Sequence, residues 1–163
     1  MISRDSCERG QVLIVLVFVL VGLLAAVGLA VDGGTAILER RRMQNAADAG
    51  ALAGTRRLAA HLCDESPDEA AIDAAIWDEI IQYAERNGVR DPSNNVVADY
   101  LAYDVDSNDV TVTGPVGSGD IPAGSLGIST TVKIERPTAL LTLVGQDTAA
   151  ASAHATAVTG PAR

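Results

Sequence analysis

The acidic run Asp104-Val105-Asp106-Ser107-Asn108-Asp109 comes closest to a metal site in this 163-residue chain. Its carboxylates have the spacing that opens a calcium-binding loop. Such a loop needs glycine at its sixth position and a bidentate glutamate at its twelfth, where this chain has Asp109 and Pro115. Aspartate and asparagine also favour turns, because their side chains bond to nearby backbone amides. We therefore interpret residues 106–109 of the run as a hairpin turn, keep calcium binding as the alternative, and expect no metal or cofactor.

Histidines and cysteines are few, and their spacing supports no catalytic site. His61 and His154 are far apart in the sequence, and Cys63, two residues after His61, stands in no recognised motif. The chain has no GxSxG elbow, glycine-rich phosphate loop, HExxH helix or CxxC pair. We therefore expect a protein without enzyme activity.

The charge balance excludes one class of partner. The formal net charge is -9, and Lys133 is the single lysine among twelve basic residues. Nucleic-acid binding needs a basic face that neutralises phosphates, so no nucleic-acid partner is expected.

The first structural element that the sequence predicts is an apolar segment from Val12 to Val31. These twenty residues include no charged or strongly polar side chain, and as a helix they would be about 30 Å long, the thickness of a bilayer core. The alternative is a secretory signal cleaved near Ala30, within Gly28-Leu29-Ala30. The segment exceeds the length usual for a signal core, and the sequence after it still favours helix. An uncleaved membrane anchor is therefore the preferred interpretation.

Two features of the sequence give opposite indications of the orientation of this anchor. The run Arg40-Arg41-Arg42 after the span would by itself favour a cytoplasmic C-terminal side. However, Asp32 and Glu39 precede the arginines, and long C-terminal domains translocate with little regard to charge. We expect residues 1–10 in the cytoplasm and a single-pass protein whose C-terminal domain is extracytoplasmic.

Small residues recur every fourth position in two stretches of the N-terminal region. That spacing places them on one helix face, where they let a neighbour approach closely. The first stretch suits another transmembrane helix, and the second suits a sheet or neighbouring helices. The predicted helix-packing interface consists of Gly22, Ala26, Ala30 and Gly34, followed by Ala46, Gly50 and Gly54.

The rest of the chain predicts a small α+β domain. A second helix is expected after Ser66-Pro67-Asp68-Glu69, with Ser66 as N-cap and Glu69 reaching back to it, and Asn87-Gly88 as its end. Its apolar stripe would be Ile72, Ile76, Ile80 and Tyr83. Alternating patterns then predict strands at 96–105, 110–113, 128–135 and 148–159, with an exposed loop at 114–127 and a short helix or turn at 139–144. In the first strand, Val96, Ala98, Tyr100 and Ala102 should share one face, and Leu101 the other.

The order of motifs around the apolar segment carries a family resemblance. Arg9-Gly10-Gln11 precedes it, Ala30-Val31-Asp32-Gly33-Gly34 closes it, and the stretch from Arg40 to Gly54 follows. This N-terminal third resembles the TadE/TadG-like family of membrane-anchored proteins associated with Flp (tight adherence) pilus assembly. The end of the chain, from Arg136-Pro137-Thr138 to Gly145 and beyond, is also similar. The resemblance implies a pilin-like, non-catalytic component with protein partners in a pilus or secretion apparatus, including self-association through the N-terminal helix.

One departure from the family pattern bears on processing. Pilin-type members place a glutamate five residues after a prepilin-peptidase cut, and a cut between Gly10 and Gln11 would put Val15 there. This favours a permanent anchor over a processed pilin subunit. The expected organisation is a cytoplasmic segment at 1–10, a transmembrane helix at 11–31, a continuing helix at 32–62 and an extracytoplasmic domain at 63–163. The competing function is a secreted ligand- or calcium-binding domain.

Overall fold

The computed structural model describes residues 5–63, 68–104, 109–138, 145 and 148–159. Within these ranges the chain forms a very long helix, two shorter helices and four strands. The elements are α1 (Asp5–His61), α2 (Glu69–Arg86), α3 (Pro92–Asn95), β1 (Val96–Asp104), β2 (Asp109–Pro115), β3 (Gly127–Pro137) and β4 (Thr148–Val158). A long apolar helix followed by an antiparallel sheet confirms the predicted α+β class.

The chain divides into two units, Met1–Ile37 with Pro137–Ala149 and Leu38–Arg136 with Ala150–Arg163. The first unit contains the apolar part of α1. The second contains the rest of α1, the two shorter helices and nearly all of the sheet. The continuous helix α1 contributes residues to both units.

The second unit is built around a four-stranded antiparallel sheet with strand order β2-β1-β3-β4. The central pair has Val96 opposite Val132, and Tyr100 opposite Ile128. These side chains pack against α1 and α2, because alternate residues of a strand point to the same face. The core is mostly aliphatic, as the composition requires, with Tyr100 as a buried aromatic residue. Its other large, fully buried side chains include Met43, Leu58, Ile76, Ile80 and Ile128.

Helix α2 begins later than the sequence predicts. Its N-cap is Asp68, whose side chain accepts a hydrogen bond from the Ala71 amide at 3.3 Å. A cap at Ser66 is therefore wrong, since Asp68 offers a good capping carboxylate nearer the apolar stripe; Ser66 and Pro67 themselves lie outside the described residues. The helix ends as expected, with Asn87 as C-cap and Gly88 at a positive φ of 90°.

Both predicted faces of β1 contribute buried side chains. Val96, Ala98 and Tyr100, which the sequence places on one face, are buried. Leu101, which the sequence places on the opposite face, is also buried, and its carbonyl accepts a hydrogen bond from the Leu126 amide at 2.8 Å. The register between β1 and β2 shifts because Tyr100 pairs with Gly114 and Leu101 with Val112, so Thr113 of β2 is the extra residue, as at a β-bulge.

The loop that follows β2 is only partly exposed, contrary to the prediction. Val116 and Ser125 are buried, and the Val116 amide donates to the Ala98 carbonyl at 2.9 Å. The short helix α3 was not predicted. The segment 139–144, expected to be a helix or turn, lies outside the described residues.

Candidate functional site

The apolar segment of α1 has no partner inside the described part of the chain. Every large hydrophobic side chain between Val12 and Val31 is more than half exposed. The most apolar 18-residue window of the helix has a mean hydropathy of 3.2, and none of it is buried. Within the described residues, α1 alone is long and apolar enough to cross a membrane. Exposed apolar surface of this extent is stable in a lipid environment and costly in water.

The first face of small residues lies on this segment and is open. Gly22, Ala26, Ala30 and Gly34 are all exposed. A Cβ atom added at Gly22 or Gly34 would meet no atom within 4 Å. The four residues therefore form a smooth strip that a second helix could approach closely.

The second face lies on the part of α1 that belongs to the folded domain, and it is occupied. Ala46 is fully buried. A Cβ at Gly50 would come within 3.3 Å of Ile80 in α2 and of Thr130 in β3. At Gly54 it would come within 2.8 Å of Ile80 and 2.9 Å of Ile128. The small residues on this face allow α1 to approach the chain's own α2 and β3.

Polar contacts join the same stretch of α1 to β4. The Thr55 hydroxyl donates to the Ala157 carbonyl at 3.1 Å, and the Gln44 amide lies 3.4 Å from the His154 carbonyl. Since Gln44 also donates to Asp48 at 2.9 Å, its link to β4 is the weaker of its two bonds. These contacts and the glycine contacts align α1 with the sheet.

A buried carboxylate that the sequence analysis missed organises the loop after β2. Asp73, on α2, is only 1% exposed. Its Oδ1 accepts hydrogen bonds from the Tyr100 hydroxyl at 2.7 Å and the Gly117 amide at 2.8 Å, and its Oδ2 accepts one from the Gly119 amide at 2.6 Å. The sequence held one signal for this role. Asp73 directly follows Ile72 of the apolar stripe, and a carboxylate beside a buried stripe needs hydrogen-bond partners.

The surroundings of Asp73 indicate a structural role for this carboxylate. Burial, together with the hydrogen bond to Asp73, raises the pKa of Tyr100 above its ordinary value of 10.0. The phenol therefore stays protonated and donates to the carboxylate. Three donors from the chain itself leave little room for a substrate proton, so the arrangement fastens the loop to the domain core.

The described side chains that could act in catalysis or bind a metal ion do not lie close together. Among the described residues no group of three or more His, Cys, Asp or Glu side chains could hold a metal ion. Asp104 and Asp109 pair across the β1–β2 hairpin, while residues 105–108 of the acidic run lie outside the described residues. His154 lies between the hydroxyls of Thr131 and Thr156, at 3.0 and 3.3 Å, on an exposed part of the sheet.

Comparison with known proteins gives one family. Residues 10–61 match the family model described as "Putative Flp pilus-assembly TadE/G-like". No curated protein and no solved structure matches the chain. The match covers the apolar segment and the rest of α1 up to its last residue, which are the parts that carry both faces of small residues. Pilus assembly is not an enzymatic role. The resemblance expected from the sequence is confirmed for residues 10–61, which are similar to the TadE/G-like family, and this similarity supports a role in pilus assembly.

Proposed function

We propose that the chain is a non-enzymatic, membrane-anchored structural or assembly component of a Tad-like (Flp) pilus or a related surface apparatus. The observation that carries this proposal is the exposed apolar stretch Val12–Val31, which lies inside the segment that matches the pilus-assembly family. In this proposal residues 11–31 cross the membrane, residues 1–10 are cytoplasmic, and the domain from residue 63 onward is extracytoplasmic.

The proposed contact with the apparatus is made within the membrane. The strip Gly22, Ala26, Ala30 and Gly34 has no neighbour in the described chain, whereas Ala46, Gly50 and Gly54 contact the chain's own core. Helix association in lipid relies on close backbone approach, which small residues permit. The open strip would therefore bind a transmembrane helix of a partner subunit or of a second copy.

The mature N-terminus tests the anchor. Mass spectrometry of the membrane, sheared-surface and medium fractions should find a chain that retains Val12–Val31 in the membrane. A start at Gln11 in the sheared fraction would indicate prepilin-type cleavage and entry into a filament. A start near Val31 in the medium would instead support the competing secreted domain and overturn the anchor.

The orientation can be tested with the two cysteines of the chain. Cys63 is exposed immediately after α1, and Cys7 precedes the apolar segment. In intact cells a membrane-impermeant maleimide should label the Cys7→Ser variant, which retains Cys63, and should not label Cys63→Ser. Both variants should be labelled after lysis. The reverse pattern in intact cells would place the domain in the cytoplasm.

A further inference from the structure

An open groove of about 790 Å³ in the second unit brings together four arginines from separate parts of the fold. Arg42 comes from α1, Arg86 from the last turn of α2, Arg90 from the turn after it, and Arg136 from the end of β3. These are four of the twelve basic residues in a chain whose net charge is -9. Basic charge is therefore concentrated here against the overall sign of the protein.

One wall of the groove is held by a shared carboxylate. Oε1 of Glu39 lies 3.1 Å from the Arg136 guanidinium and 3.4 Å from that of Arg42. The Glu39 side chain is only 15% exposed, while those of Arg136 and Arg42 are 38% and 59% exposed. A guanidinium has five N–H donors, so one acceptor atom leaves most donors of both arginines free. Glu39 therefore holds two guanidinium groups side by side.

Arg90 lines the groove from a turn that hydrogen bonds hold in place. Asp91 has a positive φ of 50°, and the Asn95 amide donates to the carbonyls of Arg90 and Asp91 at 2.9 and 3.1 Å. The Asp91 carboxylate accepts from Asn94 at 2.8 Å. Among the described residues, the guanidinium of Arg90 takes part in no ion pair. Arg86 lies with its guanidinium 5.3 Å from the centre of the Tyr83 ring, a contact that leaves its N–H edge unused.

The charge balance of the groove favours an anion. Its acidic lining residues are Glu85 and Asp91, and Glu39 pairs with two of its arginines, so four guanidinium groups face three carboxylates and the groove keeps a net positive charge. Guanidinium groups bind phosphate oxygens through paired, charge-assisted hydrogen bonds, and several of them suit a group with charge on three oxygens. We propose that this groove binds a phosphate group, supplied either by the headgroup of an anionic phospholipid or by a soluble phosphate.

The test uses inorganic phosphate and the full chain in a non-ionic detergent. Thermal unfolding is followed by the fluorescence of Trp77, the single tryptophan, with sodium chloride at equal ionic strength as the reference. Phosphate should raise the midpoint more than chloride, and the concentration dependence gives the Kd. Arg90→Gln should weaken this Kd roughly tenfold or more, because the substitution removes a guanidinium group and its charge-assisted hydrogen bonds.

Arg57→Gln is the matched control, because Arg57 is an exposed arginine of α1 outside the groove. It should leave the Kd for phosphate within about twofold. Equal stabilisation of the wild-type chain by phosphate and chloride would overturn the proposal. So would an equal loss of affinity in Arg57→Gln and Arg90→Gln, which would indicate a general charge effect.

Bilayers distinguish the two sources of phosphate. The chain is placed in nanodiscs of phosphatidylglycerol or of the uncharged, phosphate-free lipid digalactosyldiacylglycerol. If stabilisation by added phosphate disappears only in phosphatidylglycerol, the lipid headgroup occupies the groove; equal stabilisation in both identifies a soluble ligand. The detergent titration requires a folded domain and no pilus partner, so phosphate binding and the assembly role can fail independently.

Discussion

At the scale of single residues, the domain depends on how its few buried polar groups are paired. Asp73 is the clearest case, because two backbone amides of the loop and one phenol meet a single carboxylate. A buried carboxylate without donors would cost several kcal/mol, so the loop and the helix stabilise one another. Gly117 also packs against the Trp77 ring, where an added Cβ would lie 3.4 Å away.

Replacing Asp73 with Asn should lower the free energy of unfolding by about 2–4 kcal/mol. The amide keeps the volume of the side chain but loses the charge, and its NH₂ group turns a donor towards the backbone amides. Urea unfolding of the full chain in detergent, followed by Trp77 fluorescence, measures the change. The control Asp78→Asn alters an exposed carboxylate of the same helix and should change the free energy by less than about 0.5 kcal/mol. Similar losses in both variants would contradict the role given to Asp73.

The raised pKa of Tyr100 predicts that the free energy of unfolding falls at alkaline pH. Its pKa is raised in the folded state, so the folded chain holds the phenol proton more tightly than the unfolded chain does. The contribution is fully present below pH 10.0 and is lost as the pH rises above that value towards the folded-state pKa. Between pH 8 and pH 11 the loss should be about 1.4 kcal/mol.

Urea midpoints at the two pH values, measured for matched tyrosine variants, test this prediction. Tyr100→Phe should lack the alkaline loss attributed to the phenol. Tyr83→Phe, which removes a half-buried tyrosine hydroxyl from α2, should retain it. An identical pH dependence in wild type and Tyr100→Phe would show that other groups cause the loss.

Thr130 offers a stabilising substitution. It is fully buried in β3, and its hydroxyl oxygen has no hydrogen-bond partner among the described residues. Thr130→Val keeps the shape and removes this unpaired group, so the free energy of unfolding should rise by about 1 kcal/mol. Thr131→Val is the contrast, because the Thr131 hydroxyl bonds to His154 at 3.0 Å and its removal should bring no gain. Urea unfolding compares the two, and a loss of stability in Thr130→Val would contradict the prediction.

At the scale of elements, α1 presents small residues to two different environments. In the domain, Gly50 and Gly54 adjoin Ile80, Thr130 and Ile128, whereas a Cβ added at Gly22 or Gly34 would meet no atom within 4 Å. The same four-residue spacing therefore has two structural consequences, set by what the rest of the chain packs against.

Leucine at Gly54 should destabilise the domain by about 2 kcal/mol or more, because overpacking forces the core apart. A Cβ alone already comes within 2.8 Å of Ile80. Leucine at Gly34 should leave the urea midpoint unchanged or slightly higher, since no atom lies within 4 Å and leucine is the better helix former. Equal midpoints for the two variants would mean that α1 does not pack as described.

At the scale of the whole molecule, we expect a substitution in the open strip to impair assembly while membrane anchoring and folding are unchanged. Ala26→Leu adds bulk to the open strip inside the proposed span, so it should impair association with a partner helix while the chain stays in the membrane. Ala25→Leu makes the same change about 100° around the helix and should have little effect. Crosslinking in the membrane and recovery of surface filaments provide the readouts. Normal assembly in Ala26→Leu would rule out the strip as the contact surface.

Much of this architecture is set locally and could be predicted from the sequence. The uncharged run Val12–Val31 indicates a span by length alone, and the stripe Ile72, Ile76 and Ile80 identifies the buried face of α2. Strand alternation likewise located all four strands, because hydrophobic period depends on neighbours a few residues apart. The small-residue spacing predicted close packing, although it could not specify the neighbour.

The features that only the tertiary structure determines depend on contacts between residues far apart in the sequence. Asp73 meets Tyr100, Gly117 and Gly119, which are 27, 44 and 46 residues away, and no local pattern encodes that meeting. The register shift between β1 and β2 arises from strand pairing, and the arginine groove arises from three parts of the chain that only the fold makes adjacent. The sequence by itself determined the long apolar helix, the element types and the resemblance of residues 10–61 to the TadE/G-like family. The loop attachment, the occupied glycine face and the groove required the fold, because their energies come from long-range pairing rather than local propensity.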